Sequence, residues 1–204
     1  MHLSKKTIRT INPRQDPEQR ADYVSRIGCI QSSCLVFTDE SGVSLEVVAR
    51  KTGWALVGIR TPRVPRERST HGYNIIPAIS TTGLVAHMVQ EETVERFDFE
   101  YLLEHILVSL FIFIMDVLVL DNAQIHHNSR LVKEQGCLIQ YLPPYSPDLN
   151  PIEKGFSVYK SVLQRNEDLL TGGEDDYEII ESFVSWVFTA DLIRHLLRGS
   201  GYDC

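Results

Sequence analysis

The sequence predicts an α/β domain built on a mixed sheet. Three observations predict it. Apolar runs of strand length come first and then alternate with helical patterns. Two of those runs stop abruptly on aspartates, Asp39 and Asp121, as strands do when they reach the rim of a sheet. And 204 residues, 43% hydrophobic and 23% charged, suffice for one domain with a sizeable core.

The elements follow in chain order. SKKTIRTINPR reads as a linker. Asp16-Pro17-Glu18-Gln19 then starts a helix, with Asp16 as N-cap, proline in the first turn and Gln19 three residues beyond the cap. That helix is expected to run to about Ile27. Cys34 to Phe37 is a short apolar strand that ends on Asp39-Glu40, and GVSLEVV is expected to pair back on it. Residues 50–68 are irregular and basic: Arg50, Lys51, Arg60, Arg63, Arg66 and Arg68 stand against one acid, Glu67. Trp54 inside this segment is expected to sit in the core or to anchor the loop. YNIIPAIS and GLVAHMVQ read as two strands joined at Thr81-Thr82-Gly83.

Phe97 to about Leu110 has helical spacing. DVLVLD, 116–121, is a buried strand, residues 128–135 form a short helix closed by Gly136, and CLIQYLP is a further strand. After it comes YLPPYSPDLNPIE, Tyr141 to Glu153, which holds four prolines and is neither helix nor ordinary strand. Asn150 as N-cap and Pro151 as first helical residue then put Glu153 in the first turn of an amphipathic helix striped by Phe156, Tyr159, Val162 and Leu163. An acidic Gly-Gly turn leads to a last helix from about Tyr177 to Leu197.

Composition narrows the function. A net charge of −7 argues against holding nucleic acid by bulk charge, though not against a local basic patch. The N-terminus has no apolar core of the signal-peptide kind. The apolar run Ile106 to Met115 is too short for a membrane span, which needs about 18 residues or more. None of the four cysteines forms a CxxC pair, so free thiols in a reducing compartment are expected. Cys29, Cys34 and Cys137 are expected to be buried apolar residues.

The carboxylates carry the chemistry. Strand ends in open α/β sheets gather ligands. Three carboxylates there, Asp39, Asp121 and Glu153, would repel one another and raise each other's pKa unless a cation neutralised them. All-oxygen donors favour Mg²⁺ or Mn²⁺. Two such ions about 3.5–4 Å apart can activate a nucleophile and stabilise the leaving oxygen of a phosphodiester. Acids at strand ends are also common without any metal, and pattern alone leaves both readings open.

VLVLDNAQIHHNS followed by LIQYLPPYSPDLNPIEKGFSVYKS resembles the DDE superfamily of transposases, specifically the mariner-like group and its fungal relatives. FTDESGVSL, TGWALVGIRTP, GYNIIPAIS, GLVAHMV and HLLRGSGY extend the resemblance over roughly Leu3 to Tyr202. It implies an RNase H-like fold, a mixed five-stranded sheet flanked by helices. It divides the chain into a linker and N-terminal helix, 1–28, and a catalytic domain, 29–204. It makes Asp39, Asp121 and Glu153 the catalytic acids and the ligands of two Mg²⁺ or Mn²⁺ ions, with Asp39 bridging them. Asn122, His126 and Asn150 become supporting residues, although His126 as a plain helix cap is an equal reading. Asp148 and Glu40 are spare acids of the turn or its surroundings. Arg60, Arg63 and Arg66 are candidates for the DNA backbone, against a solvated loop.

The implied activity is phosphodiester hydrolysis and strand transfer on DNA, at transposon ends and target. The implied location is nuclear, and the implied assembly is a homodimer or a pairing with full-length transposase. The chain departs from the resemblance in starting within the linker that follows helix-turn-helix domains, and in carrying SLFIFIM, 109–115, where relatives have a polar connector. The expectation is therefore a truncated transposase domain. The alternative is an inactive remnant that serves as a binding or dimerisation module.

Overall fold

The structure is a computed structural model and describes residues 12–50, 52–61, 63, 71–91, 98, 101, 116–121, 138–171, 173 and 175–203. The helix expected at 128–135, with Asn122, His126, Arg66 and Cys137, lies outside the described residues. So does the helix expected at 97–110, apart from Asp98 and Tyr101, which are helical.

Helix α1 spans Pro17–Ile27. Its cap is the one the sequence predicts. Asp16 accepts from the Glu18 and Gln19 amides at 2.9 Å and 3.2 Å, and Gln19 Nε2 reaches back to the Asp16 carboxylate at 2.9 Å. Strands β1 (Leu35–Thr38) and β2 (Ser41–Val43) follow, then a short helix α2 (Leu45–Val48). Hairpin strands β3 (Tyr73–Ser80) and β4 (Gly83–Gln90) come next, with β5 (Val117–Leu120) and β6 (Leu138–Tyr141) after them. Three helices close the chain: α3 (Pro151–Arg165), α4 (Asp176–Val187) and α5 (Ala190–Gly199).

The sheet is mixed, as expected, but has six strands rather than five. β2 does not fold back on β1. Both lie antiparallel to β3 in one continuous register: Phe37 faces Ile79, Thr38 faces Ala78, and after a gap Ser41 faces Ile75. β1 and β2 are thus one strand interrupted at Asp39-Glu40. The uninterrupted register would set Asp39 opposite Pro77, which has no N–H to give a ladder. On its other side β1 pairs in parallel with β5, and β5 in parallel with β6. β4 pairs with β3 and forms the opposite flank.

Side-chain alternation sorts the sheet into two faces. Leu35, Phe37, Ile75, Ile79, Val117 and Val119 join Tyr23, Phe156, Tyr159, Val184 and Ile193 in the main core, so α1 and the three C-terminal helices cover this face. Val36, Ile76, Ala78, Leu118 and Leu120 form a second cluster on the other face. Buried on both sides, β1 and β5 are apolar throughout, apart from Thr38 at the end of β1.

α3 is the central helix of the main layer. Ile152, Phe156, Tyr159 and Leu163 are buried, whereas Val162 is only half-buried at the edge of the predicted stripe. Gly155 lets it lie close to its neighbours, because a Cβ there would come within 2.6 Å of the Phe188 ring. Arg50 closes its far end, donating to the carbonyls of Gln164 and Arg165 at 3.0 Å and 2.6 Å. The single last helix expected over 177–197 is two. Thr189 stops it and restarts it as an N-cap, accepting from the Leu192 amide at 3.3 Å. At that junction Gly83, at φ +130°, brings the β3–β4 turn against Ala190, a conformation glycine adopts at little cost. No helix among the described residues is long and apolar enough to cross a membrane.

Candidate functional site

Parallel pairing decides where the acids meet. β1, β5 and β6 run in the same direction side by side, so their C-terminal ends share one rim of the sheet. Asp39 follows β1 and Asp121 follows β5. The proline elbow leaves β6, continues its pairing through the Leu142 amide to the Leu120 carbonyl at 2.8 Å, and turns across this rim. Asp39, Asp121 and Glu153 consequently line one pocket of about 400 Å³, walled by Leu142, Pro143, Pro144 and Tyr145.

Asp39 is the most enclosed of the three, 8% exposed. Its Oδ1 accepts the Glu40 amide at 2.9 Å and its Oδ2 accepts Asn150 Nδ2 at 2.9 Å. Asn150 is itself buried, and its Oδ1 accepts the Ile152 amide at 3.3 Å. One side chain therefore caps α3 and fixes the first acid at once. Asp121 is half-buried at the end of β5.

Glu153 sits in the first turn of α3, where the helix dipole favours a negative charge. The residue keeps an exposed side, yet the pocket wall desolvates its carboxyl and pushes its pKa up. The nearby Asp121 charge pushes the same way, and Lys160 opposes it.

Pro143, Pro144 and Pro147 fix φ along the elbow. Pro147–Leu149 is a turn of 3₁₀ helix. Tyr145 holds φ 57°, a left-handed conformation costly for a residue with a Cβ.

Among the described residues, no three His, Cys, Asp or Glu side chains are gathered closely enough to form a ready ion site. The donor set nevertheless suits a hard divalent cation. It is all oxygen, and a cation would relieve the repulsion that Asp121 adds at Glu153.

Other expected residues are dispersed. Arg60 and Arg63 are exposed on the irregular stretch 52–61 and 63, and neither lines the pocket. Asn122, His126 and Arg66 lie outside the described residues. Trp54 is neither core nor anchor. It is fully exposed, and every described residue of its stretch is exposed. Cys29 is exposed and Cys34 half-buried rather than buried, since both sit in the turns between α1 and β1. Asp148 is bound by Arg20 Nη1 and Nη2 at 3.0 Å and 2.7 Å. That fork holds its carboxyl below the usual range.

Arg14, Gln15, Arg20, Tyr23 and Tyr202, all in contact with the elbow or with one another there, are not legible in the sequence as site neighbours. No local motif marks partners that lie 53 to 179 residues away in the chain.

The family described as DDE superfamily endonuclease matches residues 34–172. Among solved structures, a Mos1 transposase paired-end complex with left transposon end superposes with a TM-score of 0.71 at 18% identity, over 97% of this chain and 63% of that one. A Mos1 mariner paired-end complex with Mn gives 0.66 at 17% identity, over 98% and 65%. A Mos1 transposase catalytic domain with Raltegravir and Mg gives 0.59 at 16% identity, over 94% of each. The chain thus spans less than two thirds of the transposase chains in the paired-end complexes and nearly all of the catalytic domain. At these identities the likeness fixes the fold, which is the RNase H-like fold of those catalytic domains. No curated protein matches the sequence.

Proposed function

The chain belongs to the DDE superfamily endonuclease family, and on that premise we propose that it is the metal-dependent catalytic domain of a mariner-like transposase, cutting and joining DNA phosphodiesters. One observation carries this reading. Asp39 and Asp121, at the ends of neighbouring parallel strands, share a pocket with Glu153 at the end of the elbow.

In this mechanism Asp39, Asp121 and Glu153 would hold Mg²⁺ or Mn²⁺. When bound, the cations supply Lewis acidity to both the attacking and the leaving oxygen of an in-line displacement. The chain's part is positioning. Asn150 and the Glu40 amide each hold one oxygen of Asp39, and together they fix the plane of its carboxylate. A carboxylate oxygen that accepts one hydrogen bond keeps capacity for a further partner. The pocket wall keeps Glu153 partly dry, so a cation gains more from its charge than it would in open water. Arg60 and Arg63 extend cationic side chains from an exposed stretch and suit DNA phosphates, with Arg66 further along the same segment.

Support for the metal and for the DNA comes from the neighbours, since Mos1 complexes contain Mn or Mg and transposon-end DNA. A nuclear location goes with a DNA substrate. A second reading is a catalytically silent module that pairs with a full-length transposase. It is favoured by the acids not being gathered into an ion-holding group among the described residues.

Nicking of supercoiled plasmid in Mg²⁺ or Mn²⁺ separates the two. The enzymatic reading expects nicking that disappears in Asp121→Ala. Wild type and variant equally inert in both metals would leave the silent module standing.

A further inference from the structure

The elbow that delivers Glu153 is held from outside as well as by its prolines. α1 and the residues just ahead of it reach it directly and through Tyr202. Arg14 Nη1 donates to the Tyr145 hydroxyl at 3.5 Å. The same guanidinium lies 6.0 Å from the Tyr145 ring centre, at the limit of a cation–π contact. Gln15 Nε2 donates to the Tyr145 carbonyl at 2.9 Å. Arg20 forks onto both carboxylate oxygens of Asp148. The Tyr202 hydroxyl donates to the Leu149 carbonyl at 2.7 Å and receives the Tyr23 hydroxyl at 2.8 Å. Burial pushes Tyr23 up to about 12, so this relay keeps its protons at neutral pH.

These contacts fall on residues 145, 148 and 149, immediately ahead of Asn150. A displacement of the 3₁₀ turn therefore passes directly to the side chain that fixes Asp39 and starts α3. Tyr145, in its left-handed conformation, needs surroundings that over-determine it, and Arg14 and Gln15 supply them.

We propose that α1 is a clamp on the elbow and that Arg20 is its main positioning residue, setting where Asn150 and Glu153 stand relative to Asp39 and Asp121. The metal part of the proposal rests on the reading of the pocket as a metal centre.

Arg20 suits this role better than a purely stabilising one. Asp148 keeps 58% of its side chain exposed, and ion pairs of that kind add little to global stability. The fork's effect is local.

The test uses the full chain with Arg20→Ala, Arg20→Lys, Asp148→Ala and the double alanine variant. Two readouts are taken: hydrogen exchange across the described sheet and elbow, and titration with Mn²⁺ alone. Arg20→Ala is expected to speed exchange at 145–150 and weaken Mn²⁺ binding, each by about fivefold, the scale of a partly exposed ion pair. Protection in β3 and β5 should hold. Arg20→Lys should recover part of the loss, and the double variant should be no worse than either single one. Unchanged exchange at the elbow in Arg20→Ala overturns the clamp. Wild-type Mn²⁺ binding that Arg20→Ala leaves intact overturns its positioning role. A wild type that binds no Mn²⁺ while Arg20→Ala still loosens the elbow defeats the metal-centre reading and upholds the clamp.

Discussion

Glu153 is held at a cost. Its folded-state pKa is raised, so the penalty is absent below its ordinary value of 4.5 and is present in full once pH passes above the folded value. At pH 7 the charged carboxyl therefore works against folding. Glu153→Gln is expected to raise the melting temperature at pH 7, to lose that advantage near pH 4, and to abolish Mn²⁺ binding. Thermal unfolding at the two pH values checks the sign. Asp148 behaves in the opposite way. Its lowered pKa means that its tie to Arg20 holds through neutral pH and is lost only as pH falls below about 3.8. The three acids are visible in the sequence because each ends a strand or opens a helix. The grip of Asn150 on Asp39 is not, since the capping pattern around Asn150 says nothing of a partner 111 residues away.

At the scale of elements, caps are the most legible features. Asp16 and the Asn150-Pro151 pair act as their chemistry dictates. Thr189 is an equally good cap, but the apolar periodicity on both sides of it reads as one helix, and only the structure separates α4 from α5. GVSLEVV is legible as a strand only in its first residues: β2 ends at Val43 and pairs with β3, and α2 over Leu45–Val48 escapes the pattern because so short an element cannot establish a period. The break between β1 and β2 has a signal in Pro77, but only once the register is known. Gly155 gives the sharpest test of helix packing. Gly155→Ala improves helix propensity by about 1 kcal/mol. It also drives a methyl into Phe188 and Leu196, an overpacking that costs about 1–3 kcal/mol. Denaturant unfolding should show a net loss of stability; a gain would mean that α3 and α5 sit less tightly than described.

For the whole molecule, the residues alone support a mixed α/β sheet. The parallel order of β1, β5 and β6, which brings the acids together, rests on pairings between distant segments that no local pattern encodes. The resemblance to known transposases supplies the fold and the three acids in advance, and the structure supplies the order. The chain ends also meet in a way that composition does not announce. Tyr202 stacks edge-on against Phe37 with ring centres 4.8 Å apart and bonds both Tyr23 and Leu149. Tyr202→Phe keeps the ring and removes the hydroxyl. The loss should be about 1–3 kcal/mol, because Tyr23 is left buried with a lost partner. Calorimetry should still show one transition, since α1, the sheet and the C-terminal helices share one core. The central claim is that Asp39, Asp121 and Glu153 form a metal centre, and anomalous scattering from crystals grown in Mn²⁺ tests it most directly. Manganese density between the three carboxylates in the wild type, lost in Asp121→Ala, is the predicted result. A pocket empty of manganese in the wild type, with the acids still apart, would contradict it.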